Sequence, residues 1–451
     1  LFAIHFFGGL PLLLCFKLVL PIFLSNTIQQ LYNAADLIII GQFAGSEGTV
    51  AVSSGREIVS LLTFIGNGFQ NAIQVYIAQL SGKQEHKKIR DTVGTSLSFM
   101  LSFGLVLMAV IILLCSELLI LINTPAKAYN QAWKYMMITA LGLPFIFGYN
   151  AVCGILCGMG ESKRPLEFIA IAAVTNVFLD LLFVAGFGMG ADGTAIATVM
   201  AQMFAFAASI YFLYRKRTVF DFELKSAYFR IRTEHLTVLL QLGIPLAAQS
   251  ALIHASQLYC SARVNQYGLV MSAVNSIGNK IVRLANILTT SMNAATSAMV
   301  GQNLGARKYE RIYKVVYTAW GIGMVLAAIN IVMALVIPRQ VFSVFSNDPE
   351  VIEAGVSYMR ISVLAFILAG VHGPFNGVVT GSGYWLLNFI MGMLDGVILR
   401  IGISLILADV VGMGVYGYFY GNALARVAPF IIAVAYFYSG KWKTRKLLSE
   451  R

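Results

Sequence analysis

Long apolar segments follow one another along the whole chain, separated by short polar connections. A stretch of about 20 apolar residues is long enough for a helix that crosses the hydrocarbon core of a membrane. Windows of that length predict twelve spans, at 16–40, 52–80, 92–115, 129–157, 166–188, 193–214, 238–267, 272–301, 312–337, 351–381, 385–408 and 413–438. We therefore predict an all-α membrane protein with a six-helix N-terminal lobe at 1–214, a polar linker at 215–235 and a six-helix C-terminal lobe with a short basic tail at 236–451.

The composition supports a membrane protein without a soluble domain. The chain is 58% hydrophobic and only 12% charged, whereas soluble domains average about 25% charged residues. The five cysteines show no spacing typical of a zinc or disulfide site, and we expect them to pack as small apolar residues. No secretory signal is visible, and because the chain opens with Leu1 we expect its natural start to lie upstream.

The positions of the basic residues predict the orientation in the membrane. A net charge of +12 is compatible with nucleic-acid binding, but Lys and Arg cluster in the loops after spans two, four, six and eight and in the tail. The opposite loops carry only Lys127 and Arg339. Because basic loops remain cytoplasmic, we predict that both termini and the linker are cytoplasmic, and we expect no nucleic-acid partner.

The two halves of the chain repeat. Segment 77–89 aligns with 300–312, an offset of 223 residues, and at this offset Tyr135 falls on Tyr358. Because six spans per half is an even number, both halves insert into the membrane with the same orientation. We predict two lobes related by a pseudo-twofold axis along the membrane normal, with substrate bound between them.

The first span carries a carboxylate in its apolar sequence. Polar residues at steps of three and four place a stripe along one helix face, namely Ser25, Gln29, Tyr32, Asn33 and Asp36. A charge at the centre of a membrane costs at least about 2.5–3.5 kcal/mol, so Asp36 is expected to face a bundle interior or an aqueous cavity. It either pairs with an Arg or Lys elsewhere in the bundle or forms an ion or proton site, and we favour the site.

Further polar residues lie in spans two, five, six and eleven. The other intramembrane carboxylates are Glu57, Asp180 and Asp395, and Asn176 lies one helical turn before Asp180. Span six carries Thr194, Thr198 and Gln202 at the same spacing. Such oxygens suit Na⁺, and two neighbouring carboxyls can share a proton, which suits a proton carrier. Separate polar contacts between helices remain an alternative.

Several of these runs match one family. Residues 31–41, Leu-Tyr-Asn-Ala-Ala-Asp-Leu-Ile-Ile-Ile-Gly, resemble the first helix of the MATE (multidrug and toxic compound extrusion) transporters. Asn176-x-x-x-Asp180 and Ala197-Thr198 resemble motifs of its NorM and DinF branches. The resemblance implies a cation or proton site formed by Asp36, Asn176, Asp180 and Thr198, with Thr194 as the alternative threonine. It implies H⁺ or Na⁺ as the coupling ion, no cofactor and no enzymatic activity.

The second half departs from the family pattern. Relatives of the NorM branch carry acids in helices seven and ten, but none occurs at 253–254 or 369–372. We therefore do not expect a second cation site. This half instead carries bases in its predicted spans, which we expect to be buried: Arg263, Lys280, Arg283, Arg360, Arg400 and Arg426.

Polar stripes on three spans are candidates for lining a substrate cavity. They comprise Gln29, Tyr32 and Asn33 in span one, Asn67 and Asn71 in span two, and Asn279, Arg283 and Asn286 in span eight. His86 and His235 are expected to be solvated loop residues.

These observations favour a monomeric antiporter of a bacterial cytoplasmic membrane, which exchanges H⁺ or Na⁺ for organic, often cationic, drugs by alternating access. A lipid-linked oligosaccharide flippase of the same superfamily is the alternative, since a basic second half suits an anionic pyrophosphate. An intramembrane enzyme is a weaker alternative, because neither paired aspartates for a prenyl diphosphate nor a metalloprotease motif is found. No nucleotide-binding loop is found either.

Overall fold

The structure, a computed structural model, describes residues 11–122, 124–216 and 229–450, and in these ranges it contains helices and no strands. The first half comprises α1 (Pro11–Phe43), α2 (Gly45–Lys83), α3 (His86–Leu121), α4 (Ala126–Ala140), α5 (Leu143–Gly158), α6 (Lys163–Asp180) and α7 (Gly190–Arg215). Helix α6 continues as a π-helical turn at Leu181–Gly186.

The second half repeats this pattern of long helices. It comprises α8 (Thr233–Asn265), α9 (Leu269–Gly305), α10 (Tyr309–Val336), α11 (Pro338–Ser343), α12 (Pro349–Gly381), α13 (Trp385–Met393), α14 (Val415–Leu424), α15 (Val427–Ser439) and α16 (Lys441–Thr444). Helix α13 continues into π-helical segments at Leu394–Ile403 and Ile406–Val410.

Each of the twelve predicted spans coincides with a helical segment to within a few residues. Among the described residues, eight segments are long and apolar enough to cross a membrane, and α4 with α5 forms a ninth span that is bent by 46°. Pro144 stands in the first turn of α5, where its missing N–H costs no helical hydrogen bond. The long helices α1, α2 and α9, which carry the predicted polar stripes, complete the twelve.

The described chain divides into two compact units. One comprises Leu24–Ala247, and the other comprises 11–23 together with 248–450. The division therefore falls inside α1 and α8, a few residues after Pro21 and Pro245 respectively. The first part of α1 packs within the second unit, where Cys15, Leu18 and Val19 share an apolar cluster with residues of α9 and α10.

Helix packing repeats at the predicted offset of 223 residues. In the first unit α5 approaches α2 so closely that a Cβ on Gly158 would lie 2.6 Å from the carbonyl oxygen of Gln74. In the second unit a Cβ on Gly381 would lie at the same 2.6 Å from the carbonyl oxygen of Ser297. Only glycine permits such an approach, so the duplication extends to individual backbone contacts.

The predicted linker is described only at its ends, since 217–228 lie outside the described residues. His235, expected in a solvated loop, is instead in the first turn of α8 and only 2% exposed. Its Nδ1 lies 2.9 Å from the hydroxyl of Tyr76 and 3.3 Å from that of Thr92. That expectation was wrong because α8 begins before the apolar window and packs its first turn against α2 and α3.

Candidate functional site

Asp36 has a basic partner inside the first unit. Its side chain is 1% exposed, and Arg56 of α2 donates from Nη2 to Asp36 Oδ2 at 2.7 Å. The same guanidinium donates from Nη1 to the carbonyl oxygen of Asn33 at 2.8 Å. Buried Tyr135 of α4 lies beside Arg56. The ion pair left open by the sequence is therefore present, and Arg56 is a residue of the site that the sequence did not assign.

Asp180 extends this pair to a cluster of three charged groups. It ends α6, is fully buried, and its carboxyl lies close to the carboxyl of Asp36. An ionised carboxylate only accepts hydrogen bonds, so a bond between two carboxyls requires a proton on one of them. The geometry thus suits either a shared proton or a cation held between the two acids.

Several buried polar atoms of α1, α6 and α7 have no hydrogen-bond partner among the described residues. They are Asp36 Oδ1, both carboxylate oxygens of Asp180, both side-chain polar atoms of Asn176, and the hydroxyls of Thr194 and Thr198. Buried polar groups are nearly always satisfied, so each exception calls for an explanation. Asn176 and Asp180 share a face of α6, which packs directly against α7, the helix that carries both threonines.

Carboxylate, amide and hydroxyl oxygens are the ligands of a hard cation. Six of the unpartnered atoms are oxygens, a number that could replace much of the hydration shell of Na⁺. Within the described ranges, no group of three or more His, Cys, Asp or Glu side chains could hold a metal ion. The predicted residues Asp36, Asn176, Asp180 and Thr198 each carry an oxygen without a partner among the described residues, as does the fully buried Thr194, and all five are candidate ligands of a cation.

The predicted cavity residues of the first unit have different environments. Tyr32 is buried, and its hydroxyl accepts a hydrogen bond from Gln202 Nε2 at 3.3 Å. Gln29 and Asn71 are half-buried, and Asn67 is exposed on α2. The structure therefore joins Tyr32 to α7 and leaves the amides of α2 available for contact with a ligand.

In the second unit the polar stripe of α9 lines a cavity of about 140 Å³. Asn279, Arg283 and Asn286 all contribute to its wall, as do Arg400 and Arg426. Asp395 pairs with both of these last arginines, with Arg400 Nη2 at 2.5 Å from Oδ1 and Arg426 Nε at 3.7 Å from Oδ2.

The expectation that all six bases of this half are buried was wrong. Arg400 is 2% exposed and Arg263 and Arg426 are half-buried, but Lys280, Arg283 and Arg360 are exposed. Helical spacing could not find the Asp395–Arg400 pair, because positions five apart diverge by about 140° on an α-helix. The π-helical segment, whose hydrogen bonds join residues five apart, brings the two side chains together.

Comparisons with known proteins agree with this architecture. The MatE family model matches the chain twice, at residues 21–182 and 245–406. A relative called probable multidrug resistance protein YpnP, from Bacillus subtilis (strain 168), is 28% identical over 437 residues, covering 96% of this chain and 96% of its own. The probable multidrug resistance protein NorM of Thermotoga maritima is 21% identical over 440 residues, covering 96% of this chain and 94% of its own.

A solved structure described as the outward-facing conformation of a multidrug resistance MATE family transporter of the MOP superfamily has the same fold. It superposes with a TM-score of 0.88 at 20% sequence identity, over 97% of this chain and 98% of that one. The predicted all-α, twelve-helix, two-lobe architecture is thereby confirmed.

Proposed function

The chain belongs to the MatE family of multi-pass membrane transporters, and on that basis we propose that it exports organic compounds, cationic drugs among them, in exchange for H⁺ or Na⁺. A family of transporters rather than enzymes accounts for the absence of catalytic motifs in the sequence. We also propose that it acts as a monomer in a bacterial cytoplasmic membrane with both termini in the cytoplasm. Relatives named as multidrug resistance proteins support export of drugs.

The observation that carries this proposal is the buried cluster of Asp36, Arg56 and Asp180. With both acids ionised, the cluster has one negative charge in excess, and an uncompensated buried charge is costly. One H⁺ or one Na⁺ at the unpartnered oxygens would neutralise it. We therefore propose that one monovalent cation is coupled to each transport cycle.

Coupling requires that the ion and the exported compound favour different states of the transporter, or compete for one of them. A bound cation removes the net charge from the cluster, and so it stabilises conformations in which the cluster is sealed from water. Release of the cation restores the charge and favours conformations in which water reaches the acids. The cluster thus supplies the differential binding that alternating access needs.

The test is transport by the purified protein in proteoliposomes, with a pH gradient and a sodium gradient imposed separately. We expect export of a cationic dye such as rhodamine 123 to follow one of the two gradients. Absence of gradient-driven export of any organic compound under both conditions would refute the proposal.

The arginine-lined cavity of the second unit favours a second candidate, a flippase for lipid-linked oligosaccharides. Arg283, Arg400 and Arg426 could contact the pyrophosphate of such a lipid. A flippase would move its lipid between the leaflets of proteoliposomes and would not export rhodamine 123. The same preparations therefore distinguish the two functions.

A further inference from the structure

The cavity of the second unit has an unusual charge content for a site buried among transmembrane helices. Three arginines line it, Arg283, Arg400 and Arg426, and no Asp or Glu is among its lining residues. The one carboxylate paired with these arginines in the described chain is that of Asp395, which contacts Arg400 and Arg426. Arg283 forms no ion pair among the described residues. Two guanidinium groups therefore share one carboxylate, and with Arg283 the three arginines carry two positive charges more than the acid that pairs with them.

The two deeper guanidinium groups are held in fixed orientations. Arg400 Nη1 donates to the side-chain oxygen of Asn422, and Arg426 Nη1 donates to Asn286 Oδ1 at 2.6 Å. The Nε–H of Arg400 is buried and has no acceptor among the described residues. Arginine presents five N–H donors in a planar fork that fits carboxylate, sulfonate and phosphate oxygens. The cavity thus offers oriented donors with spare capacity.

The remaining wall mixes polar and apolar side chains, and its polar members include His254, Gln257, Ser261 and Ser362. Leu258, Val282, Tyr358 and Phe419 line the same cavity. Its volume of about 140 Å³ is below the roughly 300–1,000 Å³ of pockets that enclose a whole drug-sized ligand. The cavity therefore suits the anionic group of a larger molecule, and Leu258, Val282 and Phe419 offer contacts to an adjoining apolar part.

The charged cluster has no counterpart at the matching positions of the first half. At the repeat offset of 223 residues, Asp395, Arg400 and Arg426 correspond to Ala172, Val177 and Met203. Residues 394–403 are π-helical, whereas the matching residues 171–180 belong to α6, so the cluster accompanies a local difference between the two halves. A structural salt bridge would not explain why the second unit alone has a surplus of positive charge.

We propose that this cavity binds the anionic group of an amphiphilic organic anion, so that the compounds handled by the transporter include organic anions as well as cations. This inference rests on the proposed function in so far as the bound anion is a transported compound. The anionic group is supplied either by a free organic anion or by the headgroup of an anionic lipid, which offer the same chemistry to the arginines.

The experiment compares two dyes built on one xanthene ring system, the anion fluorescein and the cation rhodamine 123. Binding is measured by fluorescence anisotropy with the full-length protein in phosphatidylcholine nanodiscs, and transport in proteoliposomes. Arg283→Gln is the variant of choice, because Arg283 has no carboxylate partner whose charge would be stranded. Lys280→Gln is the matched control, since Lys280 is an exposed base on the same helix and is not among the residues that line the cavity.

We expect Arg283→Gln to weaken fluorescein binding roughly ten- to a hundredfold, as befits loss of a charge-assisted hydrogen bond. Binding of rhodamine 123 should be unchanged or tighter, and Lys280→Gln should resemble the wild type for both dyes. Equal fluorescein affinity in the wild type and Arg283→Gln, or no binding of fluorescein to the wild type, would overturn the proposal.

Four further outcomes distinguish a lipid headgroup from a free organic anion, and failure of the anion site from failure of the proposed export function. Competition by phosphatidylglycerol in the nanodiscs, present in the wild type and lost in Arg283→Gln, would identify a lipid headgroup. Arg283-dependent fluorescein binding without such competition would identify a free organic anion. Gradient-driven export of rhodamine 123 without fluorescein binding would refute the anion site alone. Arg283-dependent fluorescein binding without export of either dye would refute the proposed export function and leave the site standing.

Discussion

At the scale of single residues, Asp36 forms an ion pair and is also a candidate ligand of the ion site, two roles that the sequence presented as alternatives. Asp36 is paired with Arg56 and also lies beside Asp180. The sequence pattern was sufficient to find Asp36, Asn176 and Asp180, because each is a polar residue in an apolar span. Burial of such a residue in a membrane costs free energy unless it has a partner or a function. The pattern could not identify Arg56, because the match between α1 and α2 depends on their relative height and rotation, which one sequence does not specify.

This arrangement predicts different consequences for removing the two acids. Asp180→Asn breaks no ion pair, so the variant should unfold at nearly the wild-type temperature and yet lose gradient-driven export. Asp36→Asn removes the carboxylate that Arg56 contacts directly and leaves this half-buried guanidinium with Asp180 as its nearby counter-charge. The variant should therefore lose stability, but less than the roughly 3–5 kcal/mol that breaking a fully buried ion pair costs. Thermal unfolding of the purified variants and export from proteoliposomes measure the two effects.

The double variant Asp36→Asn/Arg56→Gln provides the control. Removing both charges should recover most of the lost stability, because the guanidinium is removed together with its partner and the buried Asp180 can take up a proton, but it should not restore coupling. Recovery of wild-type ion dependence in the double variant would show that the pair is purely structural. Normal coupling in Asp180→Asn would exclude the proposed ion site.

At the scale of helices, the apolar windows predicted all twelve spans, because the bilayer imposes length and apolarity on each one. What they did not predict were local departures from a straight α-helix. Span four bends ahead of Pro144, and span eleven becomes π-helical at Leu394–Ile403. Such departures arise from tertiary packing and leave little trace in the hydrophobic pattern, although the bend could have been suspected from the proline.

The repeated glycine contacts predict equal sensitivity of the two units to a single methyl group. Gly158→Ala and Gly381→Ala would each place a Cβ 2.6 Å from a backbone oxygen that belongs to the neighbouring helix. Overpacking of this kind costs about 1–3 kcal/mol, so both variants should unfold at lower temperature by similar amounts.

Gly321→Ala is the matched control, because Gly321 of α10 has no atom within 4 Å of its Cβ position among the described residues. There alanine should be neutral or stabilise the helix by up to about 1 kcal/mol. If Gly158→Ala were as stable as Gly321→Ala, the close approach of α5 to α2 would be wrong.

At the scale of the whole molecule, duplication preserved helix packing while the charges of the two halves diverged. The first half carries paired acids with one arginine, and the second carries three arginines with one acid around its cavity. The sequence revealed the repeat because the shared contacts need the same small residues at the same spacing. It did not reveal which charges meet, because the charged residues of these two clusters have no charged counterparts in the other half.

The last prediction concerns the orientation of the molecule in the membrane. Lys and Arg are concentrated in alternate loops, and such loops remain on the cytoplasmic side. Lys308 stands in one of these loops, between α9 and α10, whereas Asn347 stands in the opposite loop before α12, and both side chains are exposed. The five natural cysteines are free and buried, so they should contribute little background to labelling with a membrane-impermeant maleimide.

In intact cells, Asn347→Cys should therefore react with the maleimide, and Lys308→Cys should react only after the membrane is opened. Both variants exchange an exposed loop residue, so neither should alter folding, and labelling after permeabilisation provides the internal standard for each. The reverse pattern, with Lys308→Cys labelled from outside, would invert the topology. The basic loops would then lie on the outer face of the membrane, contrary to the rule that basic loops remain in the cytoplasm.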